Sequence, residues 1–348
     1  MGNPTKTLAA DITGVTINNR MSVNVSNSHD SAVSVATISC TDTTLDIGNS
    51  IIISLGYASG VTKVFEGFVK NIDYNIPNSL YQVTAHDLMV RAVDFFMVSE
   101  SAEDPFTFNN KSGEDLVQWV LEMSGLTSFH MDETYFTFAV EHDGEFNVIS
   151  SYDYAKNIAR ILAWNIWMDV DGTVQFTNRK PFPMDGSLSQ PGDPPFGVND
   201  TSVATFTDDD ITVLGQNVHE RELRNKIVVY GEGDLSADAS SATSYNPLTE
   251  AMEQILPEDY YKSAVLSSPI ITEQGFAQDA CDYNLSLLNR LAVEISISVE
   301  GDPTLACRDC ITLNQTVLDP TVNRLWYVYQ LEHNWSNQGY LTTMTLRI

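Results

Sequence analysis

The stretch that decides the fold is "VFEGFVKNIDYNIPNSLYQVTAHDLMVRA", residues 64–92. It reads as a strand, a turn at Asn75-Ile76-Pro77-Asn78, a second strand and then a helix. Thr84 stands at an N-cap position with Asp87 three residues on. Ala85, Leu88, Met89, Ala92 and Phe96 then recur at helical spacing. That stripe needs a surface to pack on, and the strands before it are the nearest one. Phe65, Phe68 and the Leu88–Ala92 stripe are therefore expected to be buried. No nucleophile, metal cage or phosphate loop accompanies it.

Outward from this hairpin the chain alternates between β-rich and mixed character. Upstream, "MSVNVSN", "AVSVATIS" and "SIIISLGYASG" carry apolar residues at every second position, with turns at Asp46–Asn49 and Ala58–Gly60. Residues 105–180 hold two capped helices. Ser112 and Asp115 open "SGEDLVQWVLEMSG", and Ser150 and Asp153 open "SSYDYAKNIARILA". The second leads into an alternating stretch, Trp164 to Val170, with a two-residue hairpin signal at Asp171-Gly172. Residues 181–210 contain five prolines and read as a long loop. "RNKIVVYGEGD" restores a strand, and 232–262 is a polar, acidic excursion. A helix over "QGFAQDACDYNLSLLNRL" runs into "LAVEISISVEGD", and three more strands close the chain. No repeat of 20–50 residues is visible, yet both ends are all-β units.

The expected fold is α+β and mainly β. Two all-β units, each with an associated helix, flank a small α+β domain. The boundaries are 1–104, 105–180, a Pro-rich connection over 181–215, and 216–348 with an acidic insertion near 232–262.

Composition bounds the function. With 43% apolar residues the 348-residue chain can bury several cores. No apolar run approaches the roughly 20 residues of a membrane helix, and the start lacks a signal-peptide layout. The net charge of −28 argues against binding phosphate backbones, which takes clustered Lys and Arg. It fits a solubilising surface, or a channel wall that a polyanion passes without sticking. Four cysteines are too few for a disulfide scaffold. The lone Cys307-x-x-Cys310 reads as buried structure, with a metal or iron–sulfur site formed with Cys40 and Cys281 as the minor alternative.

Searching for chemistry yields little. Dinucleotide, phosphate-loop, nucleophile-elbow and zinc-peptidase patterns are absent. The six histidines are scattered, and His86 and His333 read as structural. Thr207–Asp210 is a solvated acidic run, and Asp169–Gly172 lacks the later ligands of a calcium loop. No catalytic, cofactor-binding or metal role is assigned to any residue.

The order of the anchors is more informative. Gly56-Tyr57, the "VFEGFV" strand Val64–Val69 and Ala85-His86-Asp87 follow one another. "SSYDYAKNIARILAWNIWMDVDGTVQF" comes next, and the end supplies His333, Gly339, Tyr340 and Thr342. This collinear set resembles the phage tail hub family: baseplate hubs, late-control tail proteins and the hub part of type VI secretion spikes. Arg308-Asp309 departs from that pattern, where Gly-Asp is usual. The resemblance implies a homotrimer in which two β-barrels per chain match a hexameric tail tube. The other face would accept a trimeric spike, supplied by another chain. Tube or distal-tube, spike and tape-measure proteins are the implied partners, DNA passes without specific binding, and the implied location is the virion tail. A contractile injection machine is the alternative within this class. A tail-borne wall hydrolase or carbohydrate-binding module is the rival from another, and release of sugar or peptide from host wall separates them.

Overall fold

The structure, a computed structural model, describes residues 7–97 except 19, 111–138 except 135 and 136, 149–177, 201–314 except 250 and 269, and 324–348. Strict alternation places apolar side chains on one face of each long strand. Ile51, Ile53 and Leu55 are fully buried while Ile52 between them is exposed, and Val293, Ile295, Ile297 and Val299 repeat the pattern. Twelve such strands form one hydrogen-bonded sheet. They are numbered β1 (Leu8–Ile12), β2 (Ser22–Ser28), β3 (Val35–Cys40), β4 (Ser50–Tyr57), β5 (Gly60–Asn75), β6 (Leu80–Asp87), β7 (Ser202–Thr207), β8 (Ile211–His219), β9 (Ala292–Glu300), β10 (Cys310–Asn314), β11 (Leu325–Ser336) and β12 (Gly339–Arg347).

Two halves of this sheet share one topology. The first six strands lie in the order β1-β4-β5-β6-β3-β2, and the last six in the order β7-β10-β11-β12-β9-β8. Adding six to each label of the first order gives the second. All neighbours are antiparallel except β7 and β10, which are parallel where β1 and β4 are antiparallel. The correspondence reaches single residues. Asn49 caps a turn by accepting the Asp46 N–H at 2.9 Å, and Asp309 caps its counterpart by accepting the Ala306 N–H at 2.7 Å. The next-to-last residue of each turn is left-handed, Gly48 at φ 87° and Arg308 at φ 81°. Val69 then bonds to Gly48 and Asn49, as Val328 bonds to Arg308 and Asp309. One residue bulges from the ladder next, Lys70 in β5 and Tyr329 in β11.

The halves join where β2 pairs antiparallel with the last seven residues of β11, Gln330–Ser336. Each half keeps its own core, one around Ile38, Ile53 and Phe65, the other around Ile295, Trp326 and Met344. The result is a mixed α+β fold dominated by β-strands in several sheets.

A third core lies between them. Helices α1 (Val90–Asp94), α2 (Gly113–Glu122), α3 (Ser151–Leu162) and α4 (Gln274–Leu288) all contribute to it or pack beside it. So do the strands Asn165–Met168, Val174–Thr177 and Lys226–Tyr230. Ser112 and Ser150 cap α2 and α3 as expected, each accepting the N–H of the Asp three residues on. Two expectations are corrected here. The helices attributed to the terminal β units, α1 and α4, pack on the central core and not on the flanking ones. The first helix also starts later: β6 runs through Thr84–Asp87, because those residues complete the ladders to β3 and β5. Asp87 itself then accepts the Met89 N–H at 3.0 Å.

Within the opening stretch, Phe65, Met89 and Ala92 are buried, Phe68 and Leu88 are half-buried, and Phe96 is 54% exposed. The connection expected over 181–215 carries β7 and the start of β8, and its proline-rich part lies outside the described residues. The acidic stretch 232–262 contains the strands Ser236–Ser240, Ser244–Asn246 and Ala251–Glu253. The turn at Asp171-Gly172 is wider than two residues. Met168 pairs with Val174, and the Asp169 carboxylate accepts the N–H groups of Asp171 and Thr173.

Candidate functional site: a junction of three cores

The family anchors converge on the seam between the halves. His333, on β11 opposite Val25 of β2, is 2% exposed. Its Nδ1 lies 2.9 Å from the Tyr340 hydroxyl and 3.2 Å from Thr342 Oγ1, and the Leu305 backbone also hydrogen-bonds the ring. Burial pushes the His333 pKa down to about 4, so the ring is neutral at pH 7. Thr342 Oγ1 in turn accepts the Asp302 N–H at 2.9 Å. Tyr57, the first anchor, donates to the Gly301 carbonyl at 2.9 Å. Gly301 is required there, because a Cβ would stand 2.5 Å from Tyr340 Cδ2. Anchors from the two ends of the chain thus form one network.

Arg308 ties all three cores. Its Nη2 donates to the His29 carbonyl at 3.0 Å, and its guanidinium lies 4.8 Å from the Trp167 ring centroid. Nε and Nη1 are buried without a hydrogen-bond partner among the described residues. Its charge also acts on Asp87, whose pKa burial raises to about 6 against the N–H bonds from Ser34 and Met89. The sequence departure from Gly-Asp is therefore a Gly-like backbone carrying a new side chain. Arg308→Ala is expected to destabilise the fold by about 2 kcal/mol, through the lost charged hydrogen bond and cation–π contact. Arg308→Gly should be about 1 kcal/mol more stable than Arg308→Ala, since it relieves the left-handed strain. Urea unfolding of the two variants measures both numbers.

Two cavities flank this junction. One of about 230 Å³ is lined from all three cores by residues including Phe65, Asp87, Met168, Cys307, Leu331 and His333. At its mouth Lys63 pairs with Glu66 at 2.9 Å and with Asp171 at 2.8 Å, pinning the central hairpin to β5. The other, about 400 Å³, lies beside Asp30, Glu222, Tyr329 and Arg347. Arg347 sits 3.5 Å from the Tyr329 ring centroid and pairs with Glu222 at 2.9 Å and Glu294 at 2.5 Å. Tyr329 donates its hydroxyl to Asp30. The hydrogen bond with His29 holds the Asp30 carboxyl far below the usual range, while burial and that carboxylate push the Tyr329 hydroxyl far up. Burial opposes the Arg347 charge, but Tyr329, Glu222 and Glu294 outweigh it. Asp30, Tyr329 and Arg347 thus keep fixed charge states around neutrality, which suits a structural clamp.

The cysteines stand apart from one another in their roles. All four are buried, and burial raises the thiols of Cys40, Cys281 and Cys307. Among the described residues no group of three His, Cys, Asp or Glu side chains could hold a metal ion. Thr207–Asp210 forms a tight turn in which Asp210 accepts the Thr207 N–H and hydroxyl. Sequence reasoning missed the clamp of Asp30, Tyr329 and Arg347. Its members are single charged and aromatic residues that lie far apart in the chain, Asp30 in the turn after β2 and Tyr329 and Arg347 on β11 and β12.

The class that this architecture defines is a double β unit with a mixed centre. No protein-family model matches the sequence, and no curated protein matches it. Solved structures supply the particular likeness. A tail protein from Neisseria meningitidis MC58 shares the fold with a TM-score of 0.66 at 10% identity, covering 98% of this chain and 95% of that one. The 43 kDa tail protein of prophage MuSo2 from Shewanella oneidensis gives 0.63 at 12% identity, covering 98% of each. The Escherichia coli c3393 protein, a component of the type VI secretion system, gives 0.54 at 8% identity, covering 97% and 76%. The chain therefore has the fold of phage tail proteins. No helix among the described residues is long and apolar enough to cross a membrane.

Proposed function

We propose that this protein is a structural tail hub of a virion. The observation that carries the reading is the repeated six-strand topology, joined through β2 and β11 into one sheet. Two like units per chain are what a three-copy ring needs to present six equivalent positions to a hexameric tail tube while keeping three-fold symmetry toward a trimeric spike. Each β unit acts as one barrel-like position in that ring. In the last six strands, the end strands β7 and β8 are linked by the turn at Thr207–Asp210, which favours near-closure. The chain divides into a first β unit ending at Asp87, a second built from residues 202–219 and 292–348, and a central unit from the segments between. This division supports the two-ends-and-middle plan read from the sequence and moves its boundaries.

The net charge of −28 suits a wall past which DNA moves without adsorbing. The partners are a tube or distal-tube protein, a spike and a tape-measure protein, and the work is adaptation and not catalysis. The likeness to the c3393 protein favours a second reading, the hub of a contractile injection machine. Sedimentation or native mass measurement tests the core of the proposal. A species of three chains is expected, with six lobes in averaged electron micrographs. A chain that stays monomeric at high concentration and is missing from the tube–spike junction of the particle overturns it.

A further inference from the structure

The joint inside the chain shows how units of this kind meet, and among the described residues two matching edges have no neighbour. Within the chain, β2 of the first half pairs with the tail of β11 on the side where β10 has ended. The counterparts of β2 and β11, six strands away, are β8 and β5. Among the described residues β8 pairs with β9 alone, and its residues Gly215–Val218 are exposed. β5 is sixteen residues long. β4 covers it as far as Phe68, Val69 bonds to Gly48 and Asn49, and beyond the bulge at Lys70 β6 alone among the described residues pairs with Asn71–Asn75. The same stretch of β11 is the part that β2 occupies.

The surroundings repeat the pattern. Beside Tyr329, the space after β2 is filled by His29, whose N–H donates to the Tyr329 carbonyl and whose ring stacks on Tyr329. Beside Lys70, the counterpart of Tyr329, lies an open groove of about 640 Å³ lined by Ile47, Gly48, Phe68, Val69 and Arg91 among others. Nothing among the described residues occupies it. An edge with free backbone groups pairs with another strand unless it is blocked.

We infer that the occupant is a second copy of this chain: β8 of one copy adds antiparallel to the β5 tail of the next, repeating the β2–β11 joint between chains. Equivalence of ladder positions fixes the register. Ser26 faces Glu332 in the internal joint. Asn217 corresponds to Ser26 through β9, and Asp73 corresponds to Glu332 through β12 and β6. The pairs are then His219 with Asn71, Val218 with Ile72, Asn217 with Asp73, Gln216 with Tyr74 and Gly215 with Asn75. Val218 is 44% and Tyr74 51% exposed, so the joint covers apolar surface that a single chain leaves in water. The joint is head-to-tail, and with the rotation that the hub reading requires it closes copies into a ring in which every contact, within and between chains, is of one kind. This deepens the hub reading and rests on it.

Disulfide trapping on the full chain tests the register. The four native cysteines are buried and do not compete. Ser26→Cys with Glu332→Cys serves as the reference and should close within one chain. Asn217→Cys with Asp73→Cys should yield covalent multiples of the chain on a non-reducing gel. Asn217→Cys with Tyr74→Cys, whose side chains leave opposite faces of the sheet, should not. A charge pair gives an independent readout. Asn217→Lys, opposite the native Asp73, should leave assembly intact, whereas Asn217→Lys with Asp73→Lys should weaken it about tenfold. A multimer that forms while the reference pair closes and the Asn217–Asp73 pair stays unlinked overturns this joint and leaves the hub reading standing. A chain that is monomeric throughout overturns both.

Discussion

Gly67→Ala is expected to destabilise the fold by about 3 kcal/mol or more, among the largest effects available from one methyl group. Gly67 sits at the crossing of two ladders, opposite Ile51 of β4 and Asp87 of β6. A Cβ placed there would overlap the His86 carbonyl oxygen and stand 2.7 Å from its carbon and 2.9 Å from Asp87 Cα. Those are backbone atoms, so no side-chain rotation relieves the clash, and the β5–β6 ladder has to open. The cost then spreads to the β5 tail and to Asp87, which ties β6 to Ser34 and Met89. Gly339→Ala is the control, since nothing lies within 4 Å of the added atom, and it should stay within about 0.5 kcal/mol of the parent. Chemical unfolding followed by far-ultraviolet circular dichroism measures both. Equal stabilities for the two variants would show that the close approach at Gly67 carries no weight.

The second large effect is one of acidity. His333 and Asp87 line the same cavity, together with Lys63, Glu66 and Asp169, and they pull stability in opposite directions. Burial lowers the His333 pKa to about 4, below that of an unfolded histidine. The unfolded chain therefore takes up a proton that the fold refuses, and stability falls by about 3 kcal/mol between pH 6.5 and pH 4. Burial raises the Asp87 pKa to about 6, above its unfolded value of 3.8. There the fold takes the proton first, and stability rises by about 3 kcal/mol as pH falls from 6 toward 3.8. The two contributions nearly cancel in the parent. Relative to it, His333→Gln should gain stability on acidification across this window and Asp87→Asn should lose it. Melting curves at half-unit pH steps give the two difference profiles. Parallel profiles for all three proteins would rule the scheme out.

Much of the fold was legible in the sequence because its signals are local. Period-two strands such as Ala292–Glu300, and the capped helices opened by Ser112 and Ser150, need only a few neighbouring residues to be read. The first helix was read too early because Thr84–Asp87 carries helical spacing and a capping pattern. Pairing with β3 and β5 overrode that local preference. The repeated topology was hidden for a different reason. What the halves share is chiefly backbone conformation, so Gly48 answers to Arg308 and Tyr74 to His333, and few side-chain identities such as Val69 and Val328 are kept. Of the junction, the sequence showed His333, Tyr340, Thr342 and Tyr57 through their order alone. It could not show that Arg308, standing where a glycine is usual, reaches Trp167 and His29. Those contacts span 141 and 279 positions of chain (308 less 167 and 308 less 29) and exist only after folding.

One consequence of β11 concerns mechanics. A strand woven into both halves makes the protein a single beam and not two beads on a string. Tension along the strand loads all seven β2–β11 residue pairs at once, in shear, whereas peeling would break them one after another. Such a part transmits a pull or a thrust along its length with little give. Its compliance is left to the central helices, which no strand of the main sheet crosses.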